Sequence, residues 1–271
     1  MLYSYDSHWA IQFQKHTEKY DDIGLLKSYY RALRQISQSV DVVNAYTALD
    51  GYKLVAAPSL EVLPKPLADH LLEYVSHGGH LVLGPRSGMK DEFNALLPQR
   101  QPGYLADALG ARVEQYYALE KDVPLSGTWG MGEASIWAEQ LATKAPGGEV
   151  LLKYGNSNGW LEDQPAVVTR AYGKGRITYI GAALDYKLMA AAAEWMTQKS
   201  GVTAVFGPLP DGVEVSRRVG PGKQVFVMIN YAQETRRVNL PHSMKLVLGD
   251  RQGDAVDLPP YGVAVGVDGG K

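Results

Sequence analysis

Residues 52–83 constrain the fold of this chain most, because they place a helix pattern between two strand patterns. Residues 52–57 form an apolar run that stops at Pro58, and residues 80–83 form a second one. A helix pattern begins near residues 64–66, and Gly78-Gly79 supplies its C-terminal stop, since glycine tolerates the left-handed conformation. A strand, a helix and a strand at this spacing predict a parallel sheet covered by helices on both faces.

The same alternation extends over residues 1–200. Residues 25–36 carry apolar side chains at helical spacing, which is typical of a helix that packs on a sheet. The glycines of residues 172–177 predict a hairpin. The Ala-rich residues 184–197 predict a closing helix, and a capped helix should end at Gly110. Further strands are predicted at residues 2–5, 40–43, 113–119 and 166–170.

From about Gly201 the character of the sequence changes. Helical periodicity disappears, and short alternating runs appear between turn signals such as Pro221-Gly222. This pattern is typical of a small antiparallel β sandwich. We therefore predict two domains, an α/β domain over residues 1–203 and a C-terminal antiparallel β domain over residues 204–271.

The composition excludes several classes of partner. The chain has 271 residues, 21% of them charged, with a formal net charge of −2 and no block of Lys or Arg. A nucleic acid or an anionic membrane requires concentrated positive charge, so neither is predicted as a partner. No run of 18 apolar residues occurs, and the N-terminus lacks the pattern of a signal peptide. We expect a soluble, cytoplasmic protein.

Residue types also limit the possible cofactors. The absence of cysteine excludes thiolate zinc sites and a cysteine nucleophile. His70, His77 and His80 lie close in sequence, but no carboxylate stands at the H-E-x-x-H spacing, so surface or packing histidines are favoured. Gly173-Lys174-Gly175 lacks a phosphate-loop pattern and is explained by a tight turn. No metal and no cofactor is predicted.

Two neighbouring segments resemble a known family. Residues 87–92, SGMKDE, followed by residues 102–110, PGYLADALG, resemble the middle domain of the glycoside hydrolase family 42 β-galactosidases. The resemblance extends in the family's order through four other segments, and the ordered set is specific although each motif alone is weak. They are YSYDSHWAIQ (3–12), YGKGRITYIG (172–181), GVEVSRR (212–218) and LPPYGVAV (258–265).

The resemblance implies a fold, a partner and a role. It implies a flavodoxin-like or glutamine-amidotransferase-like parallel sheet domain that mediates trimerisation, followed by a small β sandwich. In that family the two catalytic glutamates lie in a (β/α)₈ barrel, and no position here matches their motifs. The chain is expected to start after that barrel and to hydrolyse nothing alone. The implied partners are the barrel of the same enzyme and further copies of the chain, with β-galactoside bound by the intact enzyme.

Five residues are candidates for the interface or for the wall of the active site. The resemblance places the middle domain near the barrel mouth of the same or a neighbouring subunit. Aromatic rings suit both sugar stacking and interfaces. The competing interpretation is that Trp9 packs beneath the first strand and that Asp91 and Glu92 begin a helix. The candidates are Trp9, Arg86, Ser87, Asp91 and Glu92.

Two alternative functions remain at this point. One is a free-standing protein that binds a small ligand or a carbohydrate on an amidotransferase-like fold, which should contain a closed, aromatic-lined pocket. The other is a hydrolase built on Ser87, which follows the strand 80–83. However, residues 84–88 do not have the G-x-S-x-G spacing, so a turn or cap role for Ser87 is favoured. Amidotransferase chemistry is excluded because it requires a cysteine.

Overall fold

A computed structural model describes residues 1–37, 39–144, 147–157, 159–207 and 209–269. The chain forms two compact units. The first comprises Met1–Tyr30 and Val42–Gly201, and the second comprises Arg31–Asp41 and Val202–Lys271. The division between them falls inside a helix as well as near residue 201. The helices are α1 (Tyr5–Phe13), α2 (Asp22–Ser37), α3 (Lys65–Ser76), α4 (Ala106–Leu109) and α5 (Tyr186–Lys199).

Local sequence signals fix the ends of these helices. Ser4 caps α1, because its side chain accepts a hydrogen bond from the Ser7 N–H at 3.2 Å. Asp185 caps α5 in the same way by accepting from the Leu188 N–H. Gly110 ends α4 with a φ of 69°, a left-handed conformation that favours glycine. The predicted helix stop at this residue is confirmed.

The first unit is built around one large mixed sheet. Its strand order is β11-β7-β6-β8-β9-β10-β4-β3, with β5 paired to β7, and β1 and β2 form a separate parallel pair. These strands are β1 (Leu2–Tyr3), β2 (Val43–Asn44), β3 (Leu54–Ala57), β4 (His80–Leu83), β5 (Ala111–Ala118), β6 (Val123–Gly127), β7 (Gly130–Thr143), β8 (Glu149–Tyr154), β9 (Pro165–Tyr172), β10 (Gly175–Ile180) and β11 (Ala182–Leu184).

The parallel part of the sheet consists of β3, β4 and β10. Leu83 at the end of β4 pairs with Ala57 of β3 on one side and with Tyr179 of β10 on the other. Leu81 belongs to the core formed with α3, whereas His80 bonds to Ser200 at the end of α5. Helices therefore cover both faces here, as the alternating pattern predicts.

The rest of the sheet is antiparallel, which corrects the prediction of a parallel sheet throughout. Strands β5, β6, β7, β8, β9 and β11 pair antiparallel with their neighbours. The sequence between residues 120 and 154 gave no strand prediction, although β6, β7 and β8 lie there. The predicted hairpin at residues 172–177 is confirmed as the β9–β10 connection. The α/β class holds, with a mixed sheet.

The second unit contains two small antiparallel sheets. One has the order β12-β13-β18-β15 and the other the order β14-β17-β16. Val215, Phe226 and Val256 are buried in one core that draws on both sheets. The strands are β12 (Val213–Gly220), β13 (Lys223–Asn230), β14 (Arg236–Asn239), β15 (Lys245–Leu248), β16 (Arg251–Gln252), β17 (Ala255–Leu258) and β18 (Val263–Gly269).

In the described ranges, none of the helices combines the length and the apolar character that crossing a bilayer requires. The cytoplasmic location stays a prediction.

Candidate functional site

The carboxyl ends of the parallel strands converge on a buried cluster of charged and aromatic side chains. Glu61 follows β3, Arg86 follows β4, and Tyr179 lies near the end of β10. In open α/β sheets this edge is the usual place for a functional site. All three residues are fully buried. The chain thus fills this edge of the sheet with its own polar groups.

Arg86 lies at the centre of the cluster. Its Nη2 donates to Glu61 Oε1 at 3.0 Å, and its guanidinium lies 5.0 Å from the centre of the Tyr20 ring and 5.2 Å from that of Trp137. A buried guanidinium requires such partners, because an uncompensated charge away from water is very costly. The ion pair and the two rings together fix the position of Arg86.

Glu139 on β7 is the second buried carboxylate. It accepts hydrogen bonds from the Arg86 N–H at 2.9 Å, the Trp137 indole N–H at 3.0 Å and the Tyr179 hydroxyl at 2.7 Å. Burial raises the pKa of Glu139 to about 7, against the lowering effect of these hydrogen bonds. Its protonation therefore changes near neutral pH.

Lys90 adds a second cation to the cluster. Its Nζ lies 3.7 Å from Glu61 Oε1 and donates to Gln14 Oε1 at 3.2 Å. Burial raises the pKa of Glu61, and the charges of Arg86 and Lys90 oppose this shift. Two cations thus neutralise Glu61 and Glu139 when Glu139 is ionised.

Three residues with left-handed backbone surround the ring of Trp137. His16 has a φ of 67°, Arg86 of 66° and Ile136 of 64°. The His16 ring contacts Trp137 edge-on at 5.8 Å between centres, and Ile136 immediately precedes Trp137 and packs against its cluster. Such conformations are uncommon for residues other than glycine and cluster at functional sites. Their convergence marks this cluster as a specified feature of the fold.

Helix α1 presents aromatic side chains to the surface. Tyr5, Trp9 and Phe13 lie four residues apart on one face of the helix, with exposed fractions of 60%, 57% and 86%. The rings of Tyr5 and Trp9 lie 5.9 Å apart, centre to centre. The opposite side of α1 is buried through Ala10 and Ile11. We call the exposed side chains of Tyr5, Trp9 and Phe13 the aromatic face of α1.

The loop after Lys90 adds exposed apolar side chains, with Phe93 at 83% and Leu96 at 68% exposure. Burial raises the pKa of the Tyr46 phenol, and the carboxylates of Asp6 and Glu92 add to this shift. Asp6 is exposed and follows Tyr5 in α1, so an acidic group borders the aromatic face of α1.

The predicted site residues divide into surface and buried groups. Trp9 is exposed, so the competing interpretation that it packs beneath the first strand is wrong. Glu92 is exposed and Asp91 partly so. The Asp91 carboxylate accepts from the N–H groups of Phe93 and Ala95, both at 2.9 Å, and thereby shapes a turn. No helix begins at Asp91 in this described segment, contrary to the interpretation of an acidic helix start.

Ser87 stabilises a turn, which confirms the turn role that the sequence favours. Its hydroxyl donates to the Gly84 carbonyl at 2.8 Å and accepts from the Leu60 N–H at 3.2 Å. The side chain is fully buried, like that of Arg86. Ser87 holds the turn after β4 against the segment after β3. Neither Ser87 nor Arg86 offers side-chain atoms to the surface of the chain.

The histidines occupy separate environments. His80 Nδ1 lies 3.0 Å from Ser200 Oγ, and its Nε2 lies 2.9 Å from Thr178 Oγ1. His70 contacts the Thr47 carbonyl, and His77 caps the end of α3. Among the described residues, no three His, Cys, Asp or Glu side chains group closely enough to hold a metal ion.

Sequence reasoning missed several members of the buried cluster. Glu61 lies within the apolar run Leu60–Leu63, where one carboxylate was a signal that a buried partner exists. Glu139 and Trp137 lie on β7, which was not recognised as a strand. Lys90 lay inside a quoted motif without a role of its own. Arg86 was selected, but its burial could not be foreseen.

Comparison with known families and proteins identifies the region. The model of the β-galactosidase trimerisation domain of glycoside hydrolase family 42 matches residues 1–203. The chain belongs to the glycoside hydrolase family 42 β-galactosidases. The model of the β-galactosidase C-terminal domain of that family matches residues 212–266. The resemblance inferred from the ordered sequence segments is confirmed.

Individual family 42 relatives agree with this assignment. The β-galactosidase Bga of Halorubrum lacusprofundi is 32% identical over 98% of this chain and 41% of its own length. BglY of Alicyclobacillus acidocaldarius is 30% identical over 98% of this chain and 40% of its own length. The solved β-galactosidase of the Antarctic haloarchaeon Halorubrum lacusprofundi superposes with a TM-score of 0.87 at 33% identity, covering 99% of this chain and 39% of that one.

The chain thus spans about two fifths of the length of the curated family 42 relatives it matches. The matched portion is the C-terminal one, comprising the trimerisation and C-terminal domains.

Proposed function

We propose that this chain is the non-catalytic assembly portion of a family 42 β-galactosidase that hydrolyses terminal β-galactosides. Its first unit joins three copies, and the aromatic face of α1 is a contact in that trimer. The observation that supports this proposal most is the exposure of Tyr5, Trp9 and Phe13 within the region matched by the trimerisation-domain model.

The chemistry of the aromatic face suits a protein partner. Contiguous exposed apolar side chains usually mark interaction sites, and aromatic residues are enriched in interface cores. The exposed carboxylate of Asp6 at its border favours a partner surface that carries a basic group at the corresponding rim. We propose that a second copy of the chain covers the aromatic face of α1, since a closed trimer brings one face of each copy against a different face of the next.

The same surface would also help to wall the active site of the intact enzyme. Trp9 and Glu92 are exposed and can contact a neighbouring barrel directly. Arg86, Ser87 and Asp91 would act by holding the loop that carries Glu92. The two carboxyl groups of a retaining glycosidase stand about 5–5.5 Å apart. We assign them to the barrel, so β-galactoside binds there and this chain alone should hydrolyse nothing.

The alternative of a free-standing binding protein is less well supported. Its distinguishing feature was an enclosed, aromatic-lined pocket. A partly open cavity in the first unit, lined by Tyr3, His8 and Asp22 among others, has a volume of about 20 Å³, room for about one water. The concavity along residues 12–18 is open and polar. In a calorimetric titration with galactose and lactose, we expect no heat of binding.

Sedimentation velocity over about a hundredfold range of protein concentration tests the proposal. We expect a species with the mass of three chains. The double variant Trp9→Ala, Phe13→Ala should dissociate it at concentrations where the parent is trimeric. Tyr186→Ala, at a residue equally exposed on the first turn of α5, is the matched control and should leave the trimer intact. Single chains at every concentration would contradict the proposal.

A further inference from the structure

We propose that Arg86 is a positioning residue, which with Lys90 holds the C-terminal end of α1 and thereby sets the orientation of its aromatic face. The consequence for assembly rests on the proposed function. The contact itself lies within the first unit and can be tested without assembly.

The guanidinium of Arg86 donates hydrogen bonds to the backbone where α1 ends. Its Nη1 donates to the Lys15 carbonyl at 2.9 Å, and its Nη2 donates to the Gln14 carbonyl at 2.7 Å. Gln14 is the C-terminal cap of α1. The last carbonyls of a helix lack partners within the helix and carry partial negative charge, so a cation there is favourable. Lys90 adds a bond to the Gln14 side chain.

The cluster beneath α1 leaves Arg86 little freedom to move. Glu61 holds the guanidinium, and Glu139 accepts from the Arg86 backbone N–H. The rings of Tyr20 and Trp137 lie close to the guanidinium. A planar, charged fork fixed by an ion pair and two rings defines direction as well as distance. The carbonyls of residues 14 and 15 are therefore held at a defined place.

Backbone conformation supports the same conclusion independently. His16, immediately after the gripped carbonyls, and Arg86 itself both have left-handed backbone. Such conformations persist where surrounding structure over-determines them, and they cluster at sites that require a fixed geometry. Arg86, and the residue that follows the two carbonyls it contacts, are therefore both held in uncommon conformations.

The aromatic face depends on this contact because α1 is short and half exposed. Ser7, Ala10 and Ile11 are its buried side chains. At its N-terminal half, Ser7 Oγ accepts from the Val62 N–H at 3.1 Å, and His8 pairs with Asp22 at 2.8 Å. In the C-terminal half, which carries Trp9 and Phe13, Ala10 and Ile11 are buried and Gln12 donates to Asp22 at 3.0 Å, whereas the backbone at its end is held by Arg86. Losing the arginine should loosen that half first.

The test compares the variant Arg86→Met, Glu61→Gln with the parent by hydrogen exchange and sedimentation. The paired substitution removes both members of the Arg86–Glu61 ion pair, so the net charge of the cluster is unchanged, and Lys90 keeps its bond to Gln14. We expect amides of residues 11–16 to exchange about tenfold faster or more, while those of β4 keep their protection. The variant Arg86→Lys keeps the charge but loses the planar guanidinium. Its amides at residues 11–16 should exchange at a rate between those of the parent and the double variant. Lys65→Met, which removes an exposed ion pair with Asp69, is the control without effect.

The two measurements separate the failure of this proposal from failure of the proposed function. Unchanged exchange at residues 11–16 in a folded variant would overturn the positioning role, whatever the oligomeric state. Faster exchange with an unaltered trimer would support the positioning role of Arg86 at the end of α1. It would overturn the proposed effect of that role on assembly. Faster exchange together with weaker association, comparable to that of the Trp9→Ala, Phe13→Ala variant, supports both.

Discussion

Arg86 donates from Nη2 to the carbonyl oxygen of Gln14 at 2.7 Å, and this bond joins the loop after β4 to the end of α1. The two residues are 72 positions apart in sequence. Because Glu61 and Glu139 hold Arg86 in place, the carboxyl edge of the parallel strands supports a surface helix.

Glu139 should make the stability of the first unit depend on pH. Its pKa in the folded chain, about 7, lies above the ordinary glutamate value of 4.5. Between these values the folded chain holds a proton that the unfolded chain has lost, so stability falls as pH rises from about 4.5 to 7. The full loss is about 3 kcal/mol. In urea unfolding at several pH values, the free energy of unfolding of the Glu139→Gln variant should not show this fall. The same pH dependence in parent and variant would contradict the prediction.

His80 should make the stability of the first unit fall as pH decreases, the opposite of the effect of Glu139. Burial, and the nearby charge of Arg176, lower its pKa to about 3 from 6.5. The Ser200 hydroxyl donates to the Met196 carbonyl, so His80 Nδ1 donates to Ser200 and Nε2 accepts from Thr178.

Because the folded chain excludes this proton, stability is lost as pH falls from about 6.5 to 3, by up to about 5 kcal/mol. Acid unfolding monitored by circular dichroism should show a shallower pH dependence for His80→Gln. The windows of Glu139 and His80 overlap, so each variant is compared with the parent and not with the other. An unchanged acid slope would show that His80 is not the group responsible.

Sequence patterns were sufficient for the parts of the fold that depend on local periodicity. The strands β3 and β4 and the helix α3 follow from apolar spacing, two glycines and a proline. The buried cluster could not be derived in this way. Arg86, Glu61 and Glu139 meet through pairing of strands distant in sequence, and β7, which carries Glu139, has an irregular register at Ala182 and Ala183 of its partner strand. Alternation fails where a strand bulges, so the strand was missed.

The turn after β4 should be intolerant of a side chain at Gly84. A Cβ atom there would lie 2.0 Å from the Pro58 carbonyl oxygen, which belongs to the backbone and cannot rotate away. Gly84→Ala should therefore cost about 3 kcal/mol or more in the free energy of unfolding. Gly51→Ala, where a Cβ meets nothing within 4 Å, is the matched control and should be neutral or slightly stabilising. Equal midpoints of denaturation for both variants would contradict the close approach.

Asn230 should be the key polar residue of the second unit. Its fully buried side-chain amide donates toward the carbonyls of Glu234, Leu258 and Pro259, and its Oδ1 accepts from the Ala232 N–H. Asn230→Ala leaves these groups unpaired and should cost about 2–4 kcal/mol. Hydrogen exchange of β13 and β17 should rise, whereas Asn239→Ala, at an exposed strand position, should leave it unchanged. An increase in hydrogen exchange of Asn230→Ala that is confined to the first unit would contradict this role.

The most direct test of the central claim uses thiol labelling, since the chain has no cysteine of its own. Asp6→Cys places a thiol beside the aromatic face of α1 and leaves Tyr5, Trp9 and Phe13 in place. Lys187→Cys, on the exposed first turn of α5, is the control. If three copies assemble through this face, labelling at position 6 should slow about tenfold as the protein becomes trimeric, while position 187 reacts at a constant rate. Equal rates at both positions in a trimeric sample would contradict assembly through the aromatic face of α1.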